Sequence, residues 1–216
     1  MRNDSLMRYN FIAIEGNIGS GKTSLAEKFA RDFNGRLCLE TFADNPFLPK
    51  FYENPRQYAF SLELFFMAER YRQMSRLAAE RDLFSDFLVS DYLFAKSLLF
   101  ANTNLDSDEH LLYRKLFDIM YPHIPQPQLI IYLHNDAASL LLNIAKRGRS
   151  YEQHIRAEYL DKIQSAYLHY FKSLTRQIVV IVNVSKLDFV ESDSDYKNLA
   201  RLVSHDFTPG IHYINP

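Results

Sequence analysis

The chain has 216 residues, 47% of them hydrophobic, and its 25 Lys and Arg against 26 Asp and Glu leave a formal charge of −1. This is enough apolar material for one full core as a single domain over 1–216. The near-neutral balance gives no electrostatic ground for a nucleic-acid or anionic-membrane partner. No long apolar stretch or secretory leader pattern is found, so the expected address is the cytoplasm.

In chain order, Phe11 to Glu15 reads as a short buried strand, and the run Gly16-Asn17-Ile18-Gly19-Ser20-Gly21-Lys22-Thr23 follows it directly. That run fits G-x-x-x-x-G-K-[ST], a loop whose backbone N–H groups turn toward phosphate oxygens and whose following helix adds a positive dipole end. Lys22 is expected on the β- and γ-phosphates and Thr23 on Mg²⁺. Ser24 to Phe33 reads as the helix, closed by Asn34-Gly35. Further strands are expected at Arg36 to Glu40, Phe87 to Ser90, Leu129 to Leu133 and Ile178 to Val184. The last has the β-branched density of a strand covered on both faces. Between them, helical periods cover Arg56 to Arg81, Ala95 to Phe100, His110 to Met120, Ala137 to Lys146 and Ala157 to Thr175. Alternating strands and helices predict an α/β fold, a five-stranded parallel sheet with helices on both faces. Residues 185–216 lose periodicity, and about 192–216 reads as a loose tail with a Thr208-Pro209-Gly210 turn. Cys38 is alone, which excludes an internal disulfide, and it reads as a packed thiol.

Ligands in such sheets sit beyond the carboxyl ends of the strands. Two carboxylates fall there: Glu40 at the end of the second strand and Asp91 after the third. Each alone is also compatible with an exposed loop charge. Together they suit a proton acceptor for a hydroxyl and a Mg²⁺ holder. Lys146-Arg147-Gly148-Arg149 closes a helix, where basic residues are favoured by the dipole in any case. The functional alternative is a lid, spanning about 143–156, that carries Arg147 and Arg149 onto a phosphoryl group in transfer.

These residues resemble the deoxyribonucleoside kinases of the P-loop family, which include deoxycytidine, deoxyguanosine and deoxyadenosine kinases. The likeness covers most of residues 9–190. It rests on Ile14 to Thr23 with its Glu-Gly-Asn-Ile-Gly form, on Tyr52-Glu53-Asn54-Pro55 with Tyr58 to Glu63 and Arg70, and on Arg147-Gly148-Arg149 with Glu152-Gln153 and Glu158-Tyr159-Leu160. The resemblance implies a P-loop NTPase-type fold with a lid, an ATP and Mg²⁺ requirement and a small nucleoside substrate. It also implies a homodimer, Glu40 as general base, Tyr52 and Glu152 at the sugar, and Glu63 and Arg70 at the base. Asp188 and Phe189 fall where that family holds the adenine of the donor.

Three departures stand out. Ser90-Asp91-Tyr92 replaces the family's acid-Arg-Ser triplet, and Lys96, one turn into the next helix, is the candidate to supply the missing charge. Glu63 stands where much of the family has Gln, and Asn143 where relatives can carry a lid Arg. An ionised Glu63 offers only acceptors, which suits the adjacent N1–H and N2–H₂ of guanine. The expected order is deoxyguanosine, then deoxyadenosine, then pyrimidines, unless Glu63 merely pairs with Arg70. A thymidylate-kinase-like monophosphate kinase and a nucleotide-gated regulatory module are the alternatives.

Overall fold

The computed structural model describes residues 8–41, 45–80, 82 and 84–216. Six parallel strands form one sheet: β1 (Phe11–Gly16), β2 (Gly35–Cys38), β3 (Phe87–Ser90), β4 (Leu129–His134), β5 (Ile178–Asn183) and β6 (Gly210–Ile214), in the order β2-β3-β1-β4-β5-β6. The central strands β1, β4 and β5 alternate their side chains between two cores. Phe11, Ala13, Ile130, Tyr132, Val179 and Ile181 face one, whereas Ile12, Ile14, Leu129, Ile131, Val180 and Val182 face the other. Both faces are covered, which is why these strands read as unbroken apolar runs.

The first core is closed by α3 (Pro55–Ala79), α4 (Lys96–Asn104), α5 (Ser107–Met120) and α7 (Ala157–Ser173); the second is closed by α1 (Lys22–Asp32) and α8 (Asp193–Ala200). A short α2 (Leu48–Glu53) precedes α3, and α6 (Ala137–Arg147) leads into the expected lid. Local chemistry sets the helix ends. Pro55 occupies the first turn of α3, where its missing N–H costs nothing. Asp106 accepts from Glu109 N at 3.0 Å and Asp136 from Ser139 N at 2.8 Å, capping α5 and α6. Gly148 ends α6 in the left-handed region at φ 74°, a conformation that a side chain would strain.

The structure corrects the expected strand count and the expected tail. Residues 192–216 hold α8 and the sixth strand, with Ile178 to Val182 of β5 pairing with Gly210 to Ile214 of β6. An edge strand of five residues that is only half-buried carries little alternation to detect. Helix α2 was also not expected. The expected end of the long helix at Arg81 lies outside the described residues.

On α3 the buried positions are Ala59, Leu62, Glu63, Met67, Arg70 and Met74. They follow the three-and-four spacing of one helix face. Glu63 and Arg70 therefore share the stripe that packs inward, two turns apart. Two charged groups on a core stripe are costly unless they are paired or used.

Candidate active site

The phosphate loop leaves β1 at the centre of the sheet, where the connections reverse direction, so it opens onto the crevice such sheets use for ligands. Gly19 and Gly21 both hold positive φ, at 82° and 87°; a Cβ on Gly19 would come within 2.8 Å of Leu140 O and one on Gly21 within 2.6 Å of Phe189 Cζ. The loop is held from outside as well. Asn17 is buried, and its side chain donates to Leu160 O at 2.7 Å while accepting from Ile18 N. It ties the loop to α7 and leaves only its backbone for a ligand. Asn143 donates to Gly19 O at 2.9 Å, so this departure from the family pattern braces the loop. Beneath it, the buried Glu15 accepts from Leu93 N and from the Tyr167 hydroxyl, both at 2.7 Å. Ser20 Oγ is buried without a partner among the described residues.

Lys22 donates to Asn17 O at 2.8 Å. Lost hydration and the nearby Lys96 bring its pKa down to about 8, against the pull of Glu15, Glu40 and Asp91. Thr23 Oγ1 donates to Asp91 Oδ2 at 2.5 Å, and Asp91 Oδ1 accepts from Glu40 N at 2.7 Å. One carboxylate thus links the helix after the loop to the end of β2. Two hard-oxygen groups beside a phosphate loop suit Mg²⁺, which typically takes one or two carboxylates and completes its shell with phosphate and water.

Glu40 lies two residues beyond β2 and meets two cations. Its Oε1 accepts from Arg70 Nε at 2.8 Å and from Nη2 at 2.5 Å, and its Oε2 accepts from Lys96 Nζ at 2.6 Å. Burial alone would raise the Glu40 pKa, but Lys96 and Arg70 outweigh it and hold the group at about 2. Lys96 is buried, so it is no surface lysine. Arg70 also donates to Ser97 Oγ at 2.8 Å and stacks over the Phe66 ring.

Glu63 is not paired with Arg70 by a hydrogen bond. Its Oε1 accepts from Asn104 Nδ2 at 2.7 Å, and its Oε2 is buried with no partner among the described residues. Burial lifts its pKa to about 7, against the opposing effects of Asn104, Arg70 and Lys96.

Lys22, Thr23, Asp91, Glu40, Lys96, Arg70, Glu63, Tyr52, Arg147, Arg149 and Glu152 all line one cavity of about 110 Å³. Drug-sized ligands occupy roughly 300–1,000 Å³, so the acceptor space is contracted. What closes it is visible. Both Arg147 and Arg149 donate to the buried Glu152, and Tyr52 stacks on Tyr151 at 6.1 Å between centroids. A wider groove of about 640 Å³ runs along Gly19 to Ser24 and reaches Lys146, Arg147, Arg149, Asp188 and Phe189. Within it, Phe189 is buried against the loop, and Asp188 Oδ1 accepts from Glu191 N at 3.1 Å. Asn104, Ser97 and Tyr151 were missed by sequence reasoning. Helix spacing flags a buried Glu63, but nothing in the sequence says which residue of α4 meets it.

A family model described as "Deoxynucleoside kinase" matches residues 12–208. A deoxyguanosine kinase of Bacillus subtilis is 34% identical over 194 residues, covering 88% of this chain and 94% of its own. A deoxyadenosine kinase of Dictyostelium discoideum is 30% identical over 209 residues, covering 95% and 83%. Among solved structures, deoxyadenosine kinase from M. mycoides with bound dATP superposes with a TM-score of 0.77 at 18% identity, covering 90% of this chain and 100% of its own.

Proposed function

The chain belongs to the deoxynucleoside kinase family, and on that premise we propose that it moves the γ-phosphoryl group of ATP onto the 5′-hydroxyl of a purine deoxynucleoside. The observation that supports this most is one cavity shared by Lys22 and Thr23 of the phosphate loop, by Glu40 and by the buried carboxyl of Glu63.

Phosphoryl transfer through a loose transition state asks the protein for positioning and charge stabilisation. The loop N–H groups and Lys22 hold the β- and γ-phosphates, and their negative charge raises the Lys22 pKa again. Thr23 and Asp91 would hold Mg²⁺, which neutralises charge on the phosphate oxygens when bound. Glu40 orients the 5′-hydroxyl and receives its proton. With a pKa of about 2 it is a weak base, so the proton passes late, once the forming P–O bond has made the hydroxyl acidic. Lys96 holds the other side of Glu40, supplying a charge without the bidentate fork of an arginine. Tyr52 and Glu152 take the sugar. As the sugar engages Glu152, Arg147 and Arg149 are released to the phosphoryl in flight. Asp188 and Phe189 border the adenine of the donor.

Arg70 and Lys96 are both engaged by Glu40, which favours an uncharged nucleoside over a monophosphate as acceptor. The relatives named deoxyguanosine and deoxyadenosine kinase support a purine. A single domain, a cytoplasmic address and a homodimer complete the reading; no helix among the described residues is long and apolar enough to cross a membrane. The test is turnover of the four deoxynucleosides with ATP and Mg²⁺. We expect deoxyguanosine first, deoxyadenosine second and pyrimidines last. Equal use of deoxycytidine or thymidine would overturn the ranking, and phosphorylation of none would overturn the function.

A further inference from the structure

The carboxyl of Glu63 is asymmetric. Oε1 accepts from Asn104 Nδ2 at 2.7 Å, whereas Oε2 is buried and unpartnered among the described residues. Both residues line the acceptor cavity. A buried polar atom left in this state is costly, so it is open to a partner that a ligand in the cavity can bring. Resting on the proposed function, we propose that Asn104 is a specificity-determining residue, fixing Oε2 as the atom that carries or lacks a proton, and that this proton selects between guanine and adenine.

The chemistry of the two edges makes the choice. Guanine presents N1–H and N2–H₂ as neighbouring donors, and only the carboxylate accepts both. Adenine presents N6–H₂ as a donor beside N1 as an acceptor. It needs one oxygen to accept and the other to donate, as a carboxyl protonated on Oε2 does. Guanine offered along its O6–N1 edge would need the proton on the opposite oxygen, which already accepts from Asn104. Without Asn104 the two oxygens would be interchangeable, and the neutral carboxyl would read either edge.

The surroundings set this proton near neutral pH. Facing Glu63 are Arg70 on its own helix, Lys96 and Asn104 on α4, Tyr113 on α5, Tyr159 on α7, and Glu40 beyond β2. Burial raises the carboxyl, the repulsion of Glu40 adds to that, and Asn104, Arg70 and Lys96 pull back, leaving it at about 7. Tyr113 donates to the Glu63 carbonyl at 3.2 Å and does not reach the carboxyl.

The experiment is calorimetric binding of deoxyguanosine and deoxyadenosine to the full chain from pH 6 to 8, in buffers of differing ionisation enthalpy. The same ratio is then measured in turnover. If each base binds one protonation state, the affinity for deoxyadenosine relative to deoxyguanosine falls by about tenfold per pH unit. Deoxyadenosine binding at pH 8 then takes up a proton. Glu63→Gln, with a permanent donor beside a permanent acceptor, should favour deoxyadenosine with a flat ratio. Asn104→Ala removes a donor that holds the charged form and frees the second oxygen to carry the proton, so the ratio should level off at low pH and begin to fall only at a higher pH, a change that loss of packing alone does not produce. A pH-independent ratio in the wild-type protein, or the wild-type pH profile retained in Asn104→Ala, would overturn this inference alone. Failure of one of the two nucleosides to bind would also overturn the inference, and failure of both would overturn the proposed function with it.

Discussion

The two sides of the crevice are built on different principles. On the donor side, a fixed backbone does the work. Glycines at positive φ, Asn17 locked to Leu160 O and Asn143 locked to Gly19 O hold the loop between β1 and α1 in one shape. On the acceptor side, charges hold one another: Glu40 is clamped between Arg70 and Lys96, Glu152 gathers both lid arginines, and Glu63 leans on Asn104. Loss of the Lys22 side chain leaves the loop frame in place, whereas a buried charge cluster is disturbed by loss of any member. Lys22 substitutions should therefore cost rate alone, and acceptor-side substitutions both rate and stability.

The largest expected break is Glu40→Gln. It removes the proposed proton acceptor, at a typical cost of 10²–10⁴-fold in kcat, and leaves Arg70 and Lys96 facing each other. Breaking such a buried cluster costs up to about 3–5 kcal/mol, readable by urea unfolding at pH 7. The pH window follows from the sign of the shift. The Glu40 pKa is depressed from 4.5 to about 2, so its contribution is fully present above 4.5 and is lost as pH falls toward 2. In wild type that increment is on the order of 3 kcal/mol, and Glu40→Gln should lack the corresponding acid slope. A loss of less than fivefold in kcat would move the base role to Asp91.

Lys22→Ala comes next, with roughly 3–4 kcal/mol of transition-state stabilisation lost and an unchanged unfolding midpoint. Turnover within tenfold of wild type would break the assignment of the loop, and a lowered midpoint would break the contrast between the two sides.

Glu63→Gln sharpens the comparison by inverting the pH sign. Its pKa is raised from 4.5 to about 7, so the folded state binds the extra proton. The stability this confers is full below 4.5 and disappears as pH rises through 7. The variant should therefore gain on wild type by about 3 kcal/mol between pH 4 and pH 8, measured by thermal or denaturant unfolding at both. Parallel curves would mean that Glu63 does not titrate as described.

Lys96→Met is the smallest change, since Arg70 stays on Glu40. Loss of one charged hydrogen bond costs about 1.5–3 kcal/mol, divided between stability and kcat. A variant with wild-type kcat would reduce Lys96 to a structural cation.

The same contrast governs what was legible beforehand. The loop is contiguous, and its glycines answer local backbone requirements, so the place of Gly16 to Thr23 between β1 and α1 could be read directly. The central strands were legible for a related reason: β4 and β5 are covered on both faces and carry unbroken apolar runs. Strand β6 was not, because an edge strand with Gly210, His212 and a largely exposed Tyr213 has no such signature. On the acceptor side, the sequence offers Glu40, Glu63, Arg70 and Lys96 as separate charges. Their pairing depends on how α3 and α4 dock over the sheet. That is a long-range property, and it decides that Arg70 serves Glu40 while Asn104 serves Glu63.

Whether the cavity joins a phosphate cradle to the 5′-hydroxyl of a nucleoside can be read by supplying γ-labelled ATP and Mg²⁺ with deoxyguanosine and, in parallel, with its 5′-monophosphate. Label should appear on the 5′-oxygen of the nucleoside, with little transfer to the monophosphate. Label entering the monophosphate to give a diphosphate, or ATP consumed with no transfer to either, would contradict that reading.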